Sequence, residues 1–393
     1  MTEPLNARVH GAGPTGALAA IALAREGWSV SVHDPLDRPA LLARRRAYAL
    51  THSSRRLLRR LGLWESVEPG LEPFTRLQLR DLGSGGDACF AGADLGARLA
   101  ASSGGAVGWI ALHGPLLAAL LDRLEADPRV CLQLGEAPPE LPLGGPDLQG
   151  PHLLVAADGP ASPTRARLGI RLWRRAYRQS CLTAQVELRG DRTQEAWELL
   201  RPEGPFAVLP LGAQRAQLVW SAPTDRCRQL EALSGTAFLD RLAAVLPDGL
   251  QPDSLLEPPR AFPVALELAT RLQRGRVVLV GESAHRCHPV GGQGLNLCWR
   301  DVEDLHRLAR RVAQRRLRPA RLPAAYARAR WPDLLLTLLA TDLLVRLFSN
   351  RSPLLLPPRR LGVALLACSG SLRRLALGVM TQGPCRPLAA GPE

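Results

Sequence analysis

Gly11, Gly13 and Gly16 form a Gly-x-Gly-x-x-Gly turn between a short extended stretch, residues 6–10, and a run with helical spacing of Ala, Leu and Ile over residues 14–27. Residues 28–33 then alternate like a strand. A strand that enters a helix through so tight a turn, with a second strand directly behind it, is a β-α-β unit of a parallel sheet. Glycine serves there because the backbone must bend sharply and the helix N-terminus must come close to a pyrophosphate with no Cβ between them. Asp34 ends the second strand, 34 − 16 = 18 residues beyond the last glycine, where a carboxylate can bind a ribose 2′-hydroxyl. Alone the motif is a weak signal, since glycine-rich turns are common and the polar Arg8 and His10 make an imperfect first strand.

Two later stretches strengthen it. In Val155-Ala156-Ala157-Asp158-Gly159, followed by Ser162 and Arg165, a strand again runs into a turn; its plain reading is an ordinary turn with Ser162 as a helix cap. The third is more specific: Val277-Val278-Leu279-Val280-Gly281-Glu282-Ser283-Ala284-His285, then His288-Pro289-Val290-Gly291-Gly292-Gln293-Gly294-Leu295-Asn296. A buried strand delivers an acidic side chain there, and a glycine-rich loop opens a helix whose N–H groups can stabilise negative charge on a bound ring. His285 and His288 have the spacing of a helical metal pair. With no glutamate motif or third ligand nearby, and with Pro289 and the glycines dictating a loop, no metal site is expected. Nor is there a Gly-x-Ser-x-Gly nucleophile elbow.

At 393 residues the chain has room for two or three substructures. Helical patterns cover residues 47–64 and 116–126, the latter opened by Pro115. Residues 81–108 read as loops and short strands, and residues 135–151 as a Pro/Gly-rich connector into an apolar strand at 153–157. Strand candidates follow at 181–188, 206–211 and 216–222, with an amphipathic helix near 238–246. A buried strand at 276–280 then leads into a long helical tail. The expected fold is α/β: a discontinuous Rossmann-like nucleotide-binding domain (1–175 and 263–330), an inserted β-rich substrate domain (176–262) and a helical C-terminal region (331–393).

The net charge of +14 admits a nucleic acid, an anionic lipid or an anionic cofactor. No basic block is interleaved with aromatics and no zinc-finger spacing occurs, so no nucleic-acid partner is expected. All 50 basic residues are arginine, which excludes a catalytic lysine. The eight cysteines are scattered without a Cys-x-x-Cys pair and read as reduced thiols. Residues 1–8 lack the order of a signal peptide and no run of 18 apolar residues exists, so the expectation is a cytoplasmic chain that does not span a membrane.

With the three stretches in order, the chain resembles the flavin hydroxylases that share the para-hydroxybenzoate hydroxylase fold. Within that superfamily it is most similar to the ubiquinone-biosynthesis hydroxylases. The segments that carry this are Arg46-Ala47-Tyr48-Ala49-Leu50, Gly204-Pro205-Phe206-Ala207-Val208-Leu209-Pro210-Leu211 with Leu218-Val219-Trp220, and the tail from Thr341-Asp342 to Leu347-Phe348-Ser349-Asn350. The likeness runs over residues 7–378. It implies FAD, with Gly11, Gly13 and Gly16 at the pyrophosphate, Asp34 at the adenosine ribose, Arg46 against the cofactor, and Asp158 near the pyrophosphate and the path of the reductant. Glu282, beside Gly281, would face the ribityl chain or the pyrophosphate. Pro289, Gly292, Gln293, Gly294, Leu295 and Asn296 would border the isoalloxazine ring.

The same resemblance implies that NAD(P)H, bound only transiently, reduces the flavin, and that O₂ taken up at the C4a carbon is delivered from the hydroperoxide to an aromatic ring. The expected substrate is a hydrophobic, polyprenylated quinone precursor lying against residues 176–262; no base is identified. The chain departs from the family's pattern at Glu282, where Asp is usual, at Gly114, where Arg is frequent, and at Cys298, where Gly is usual. Residues 331–347 and 354–377 read as a helical tail packed on the core. The alternative is a surface resting on anionic lipid at the inner face of the membrane, with Arg359, Arg360, Arg373 and Arg374 at the headgroups. Two other functions stay open: an FAD-dependent reductase or epoxidase of isoprenoid lipids, and a non-catalytic flavin-binding subunit of a quinone-biosynthesis complex.

Overall fold

The computed structural model describes residues 4–139 and 150–385. Residues 140–149 of the connector, and the first three residues of the N-terminal stretch, lie outside the described residues.

The glycine turn leads from a central strand of a six-stranded sheet. Its order is Gln273–Arg274, Val277–Leu279, Leu153–Ala156, Asn6–His10, Ser29–Asp34 and Val130–Leu134. All neighbours are parallel except the first two, which form a hairpin. The chain leaves this sheet after Leu153–Ala156 and re-enters it beside the same strand more than a hundred residues later. All three chemistry-bearing stretches therefore start from adjacent strand ends, where ligands of open parallel sheets bind. The helix Pro14–Arg25 is buried along nearly its whole length by its alanines, and Gln293–Ala313 packs across it. Small side chains allow that close approach, and Trp299 Nε1 donates to the Pro14 carbonyl at 3.3 Å.

The second sheet has eight strands in the order His285–Arg286, Gln251–Ala269, Leu172–Arg189, Arg215–Pro223, Phe206–Pro210, Ala196–Leu200, Arg76–Asp81 and Gly86–Ala91. It draws on residues on both sides of 176–262. Arg76–Asp81 and Gly86–Ala91 extend its edge, and Gln251–Ala269 carries it past residue 262. That last strand is 19 residues long despite four prolines. Proline cannot donate to a ladder, and Pro258 and Pro259 fall in a register break between the pairs Thr183–Arg260 and Gln185–Glu257.

The sheet's two faces differ. On one, Leu182, Trp197, Leu199, Phe206, Leu218 and Trp220 pack with Phe238 and Leu242 of the helix Gly235–Ala243 into a closed core. On the other, strand register places Glu198 beside Ala207, then Val219 and Thr183, with Cys181, Ser221 and Phe262 one pleat away. Apart from Phe262 and Glu198 these side chains are small.

Residues 47–50 correct the helical expectation. Ala47–Leu50 is a strand of a three-stranded sheet with Gly108–Leu112 and Leu71–Phe74, and the helix starts only at His52. The alternating Ala47-Tyr48-Ala49-Leu50 pairs with Gly108–Leu112, and this tertiary pairing overrides the helix propensity of alanine and leucine. The tail forms Leu322–Phe348, Leu356–Cys368 and Gly370–Gln382, all helical.

Candidate active site

The three glycines of the first turn have different reasons to be glycine. Gly11 has φ +98°, and a Cβ there would lie 2.4 Å from the Ala157 carbonyl oxygen. At Gly16 a Cβ would lie 1.9 Å from the Gly11 carbonyl oxygen. At Gly13 a Cβ would meet nothing within 4 Å. The first and last glycines thus let strand and helix pack, whereas Gly13 borders open space at an N-terminus that no side chain caps. First-turn N–H groups in such a place are donors for an anion. Asp34 braces the turn: Oδ2 accepts from Ala12 N at 2.7 Å and Oδ1 from Leu36 N at 2.9 Å. Each carboxylate oxygen keeps a further lone pair.

Asp158 caps the short helix Pro163–Arg167, accepting from Thr164 N at 2.9 Å and from the Ser162 hydroxyl. Ser162 Oγ in turn accepts from Arg165 N at 2.9 Å, so Ser162 is a helix cap as its plain reading held. Arg165 is buried and donates to the Ser283 carbonyl at 2.7 Å, which fastens the second stretch to the third.

In the third stretch Gly281 N donates to Asp301 Oδ2 at 2.8 Å. The same carboxylate faces His285 Nε2 at 2.7 Å and Arg330 Nε at 2.6 Å. Burial alone would raise the Asp301 pKa, but His285 and Arg330 outweigh it and hold the group below the ordinary carboxylate value. Arg330 also faces Asp304 and Asp333, and Arg300 meets Asp333 at 2.8 Å. His285 is therefore engaged by a hydrogen bond to Asp301. His288 is buried, with Nδ1 accepting from Val290 N at 3.2 Å and its ring edge-on to Tyr177. Among the described residues no group of three or more His, Cys, Asp or Glu side chains could hold a metal.

Glu282 is exposed and has no hydrogen-bond partner among the described residues, so its extra methylene meets no obstacle. Cys298 is buried against Gly281 and bonds to Thr15; a Cβ on Gly281 would lie 3.4 Å from its sulfur. Gly114 sits in the first turn of His113–Glu125 with only the Leu42 carbonyl, 3.5 Å from a built Cβ, nearby.

Gly291 and Gly292 are left-handed, with φ +66° and +62°, and Gly292 precedes the helix Gln293–Ala313 without a side-chain cap. Asn296 and Gln293 were expected at the ring, but their side chains face the protein. Asn296 Oδ1 accepts from Thr51 N (3.0 Å), Thr51 Oγ1 (3.0 Å) and Ser54 Oγ (2.7 Å), and its Nδ2 donates to Ala49 O (2.7 Å) and Gly292 O (2.8 Å). Gln293 Nε2 donates to Gly291 O at 3.1 Å and Met380 O at 3.0 Å. Both amides are engaged in shaping the loop. A Cβ at Gly294 would meet nothing within 4 Å.

Arg46 is exposed and stands 5.7 Å from the Phe262 ring, on the open face of the large sheet. Behind it Tyr48 Oη lies 2.9 Å from His113 Nδ1, whose Nε2 donates to the Leu41 carbonyl at 2.8 Å. That tautomer makes Tyr48 the donor. Burial pushes the Tyr48 phenol up to about 12.

Sequence reasoning missed Glu198 altogether. It lies in the strand Ala196–Leu200, half-buried, with its carboxyl accepting from the Gly291 N–H; burial pushes it up to about 7. The one available signal was an acidic residue between Trp197 and Leu199, which reads equally as a solvent-facing strand position.

The FAD binding domain family matches residues 150–330. Ubiquinone hydroxylase UbiL of Rhodospirillum rubrum is 34% identical over 403 residues, covering 96% of this chain and 91% of that protein. The 3-demethoxyubiquinol 3-hydroxylase of Escherichia coli is 30% identical over 393 residues, covering 95% and 98%. The chain belongs to the ubiquinone-biosynthesis hydroxylase family. Like the family, it is an FAD-dependent monooxygenase with NAD(P)H as its reductant. In fold it is similar to PqsL of P. aeruginosa in complex with 2-aminobenzoylacetate, with a TM-score of 0.75, 22% identity, and coverage of 92% of this chain and all of that one. The residues present fit FAD: open space at Gly13, uncapped helix N-termini at Gly13 and Gly292, and an unpaired carboxylate at Glu282.

Proposed function

We propose that this hydroxylase acts on the ring of a polyprenylated aromatic quinone precursor, held between the open face of the eight-stranded sheet and the loop at Gly291. One observation carries the reading: a row of small, half-buried or buried side chains, Ala207, Val219, Cys181 and Ser221, on the sheet face whose Glu198 meets the backbone of the left-handed Gly291. Such a wall leaves room for a flat ring and offers it apolar contact. Bound FAD supplies the redox chemistry by which electrons from NAD(P)H activate O₂. The chain's own part is to position and to shield. Gly11, Gly13 and Gly16 take the pyrophosphate, Asp34 the ribose, Arg46 and Asp158 the cofactor's flanks, and Gly281 and Glu282 the ribityl side. The backbone from Pro289 and Gly292 to Leu295 then faces the ring and stabilises negative charge on it.

The prenyl chain needs a route to lipid. On Leu322–Phe348, Leu339 and Leu343 are 64% and 63% exposed, and Leu335 and Leu336 extend the same side; Leu354 beyond it is 84% exposed. We propose that this face rests on the membrane. Of the four arginines expected at headgroups, Arg359 is buried on Asp81 at 3.0 Å and Arg373 bonds Asp94 at 2.9 Å, which leaves Arg360 and Arg374 exposed. Among the described residues no single helix is long and apolar enough to cross a membrane.

The test is NAD(P)H oxidation by the purified holoenzyme with prenylated phenols as probes, with the product's mass read out. Substrate-stimulated oxidation with a product gaining one oxygen supports the reading. Reduction or epoxidation of the prenyl chain, with the ring unchanged, refutes it.

A further inference from the structure

We infer that Glu198 is the proton acceptor of the reaction: its carboxylate takes the proton of a phenolic hydroxyl on the substrate ring as the ring gives electrons to the incoming oxygen. The inference rests on the proposed hydroxylation and adds the base that the sequence did not reveal.

Placement is the first support. Register puts Glu198 on the open face of the eight-stranded sheet, paired with Leu79 and Ala207, while Trp197 and Leu199 on either side point into the closed core. The side chain projects toward the loop expected at the flavin ring and accepts the N–H of Gly291. A ring lying on the Ala207 and Val219 wall would have this carboxylate at its edge. The hydrogen bond to Gly291 occupies one lone pair and leaves the others for a substrate donor.

The electrical surroundings are the second support. No cation pairs with Glu198 among the described residues. The titratable and charged groups that share its surroundings are the Cys181 thiol on the same face, itself pushed up to about 12 by burial, and Arg46, which acts with Glu198 on that same thiol. A recessed carboxylate without a salt bridge has no structural partner to justify its desolvation. Burial raises it to about 7, which keeps a large basic fraction at neutral pH while making it a stronger base than a solvated glutamate.

The step balances. The substrate O–H bond breaks, its proton goes to Glu198, and the electron pair left on oxygen delocalises into the ring, raising nucleophilicity at the carbon that accepts oxygen. The proton returns to solvent or to product after turnover, so the carboxylate is regenerated.

The experiment uses the full-length holoenzyme with 2-geranylphenol and its O-methyl ether, which has no proton to give. Glu198→Gln keeps the shape and the Gly291 contact, and FAD content is read by visible absorbance. The expected result is a loss of hydroxylation of the phenol by about 100-fold, with activated oxygen released as hydrogen peroxide. For the ether, product formation is low in both proteins and does not separate them. The wild-type rate with the phenol rises as pH increases through about 7, and this limb is absent in Glu198→Gln. Phenol hydroxylation by Glu198→Gln within about threefold of wild type, or equal losses on phenol and ether, overturns the assignment. Should Glu198→Gln lose FAD, the wild-type profile decides: a rate flat between about pH 6 and about pH 8 overturns it. Absence of hydroxylated product with wild type at every pH refutes instead the proposed substrate class.

Discussion

Arg330 Nε lies 2.6 Å from Asp301 Oδ1, and the other oxygen of that carboxylate holds the N–H of Gly281. A side chain of the helix Leu322–Phe348 is thus one residue removed from the loop that carries Glu282. Arg330→Met removes the cation that the buried Asp301, Asp304 and Asp333 share, while Asp333 keeps Arg300 and Asp304 keeps Arg307. It is expected to cost about 3 to 5 kcal/mol in urea unfolding and to weaken FAD binding with it.

Gly16 and Gly13 separate folding from cofactor binding. Gly16→Ala places a Cβ 1.9 Å from the Gly11 carbonyl and is expected to leave little folded protein. Gly13→Ala meets no protein atom, so apoprotein stability should stay within about 0.5 kcal/mol while FAD affinity falls at least tenfold, about 1.4 kcal/mol. Flavin titration of the two apoproteins, alongside circular dichroism, checks both halves.

His10 and His288 make stability depend on pH. Burial lowers both to about 4; at His10 the opposing field of Asp158 is outweighed by burial together with Arg8, His33 and Arg167. The folded value lies below the unfolded one, so the unfolded chain binds more protons between about 6.5 and 4. Stability is full above about pH 6.5 and falls as the pH drops toward 4, by about 3 kcal/mol for each fully buried ring. Urea midpoints measured across that window should decline. His288→Leu should flatten the decline.

Leu339→Glu with Leu343→Glu changes only the exposed leucine face. Co-sedimentation with anionic vesicles is expected to fall by at least tenfold while FAD content and activity on a water-soluble phenol are unaltered. Unchanged sedimentation would remove this face as the membrane contact.

The parts of the site legible in sequence are those whose demands are local. A glycine needed by a tight turn, as at Gly11 or Gly16, is written within a few residues of the strand it follows, and so is the Pro289 to Leu295 loop. Asn296 could be seen but its job could not, because its partners Ala49, Thr51 and Ser54 lie some two hundred and forty-five residues away in the chain. The same holds for Ala47–Leu50, whose strand character comes from Gly108–Leu112. Gln251–Ala269 was hidden by its prolines, which the sheet accommodates with register breaks. Glu198 was hidden because only the register of four strands shows which face it occupies.

The central claim is that this chain transfers one atom of dioxygen to an aromatic ring at its FAD. Turnover of the holoenzyme with NAD(P)H and a prenylated phenol under isotopically labelled dioxygen tests it most directly. Mass spectrometry should find one labelled oxygen in the ring-hydroxylated product. Label absent from the product, or NAD(P)H consumed with every labelled atom recovered as peroxide and water, would contradict the account.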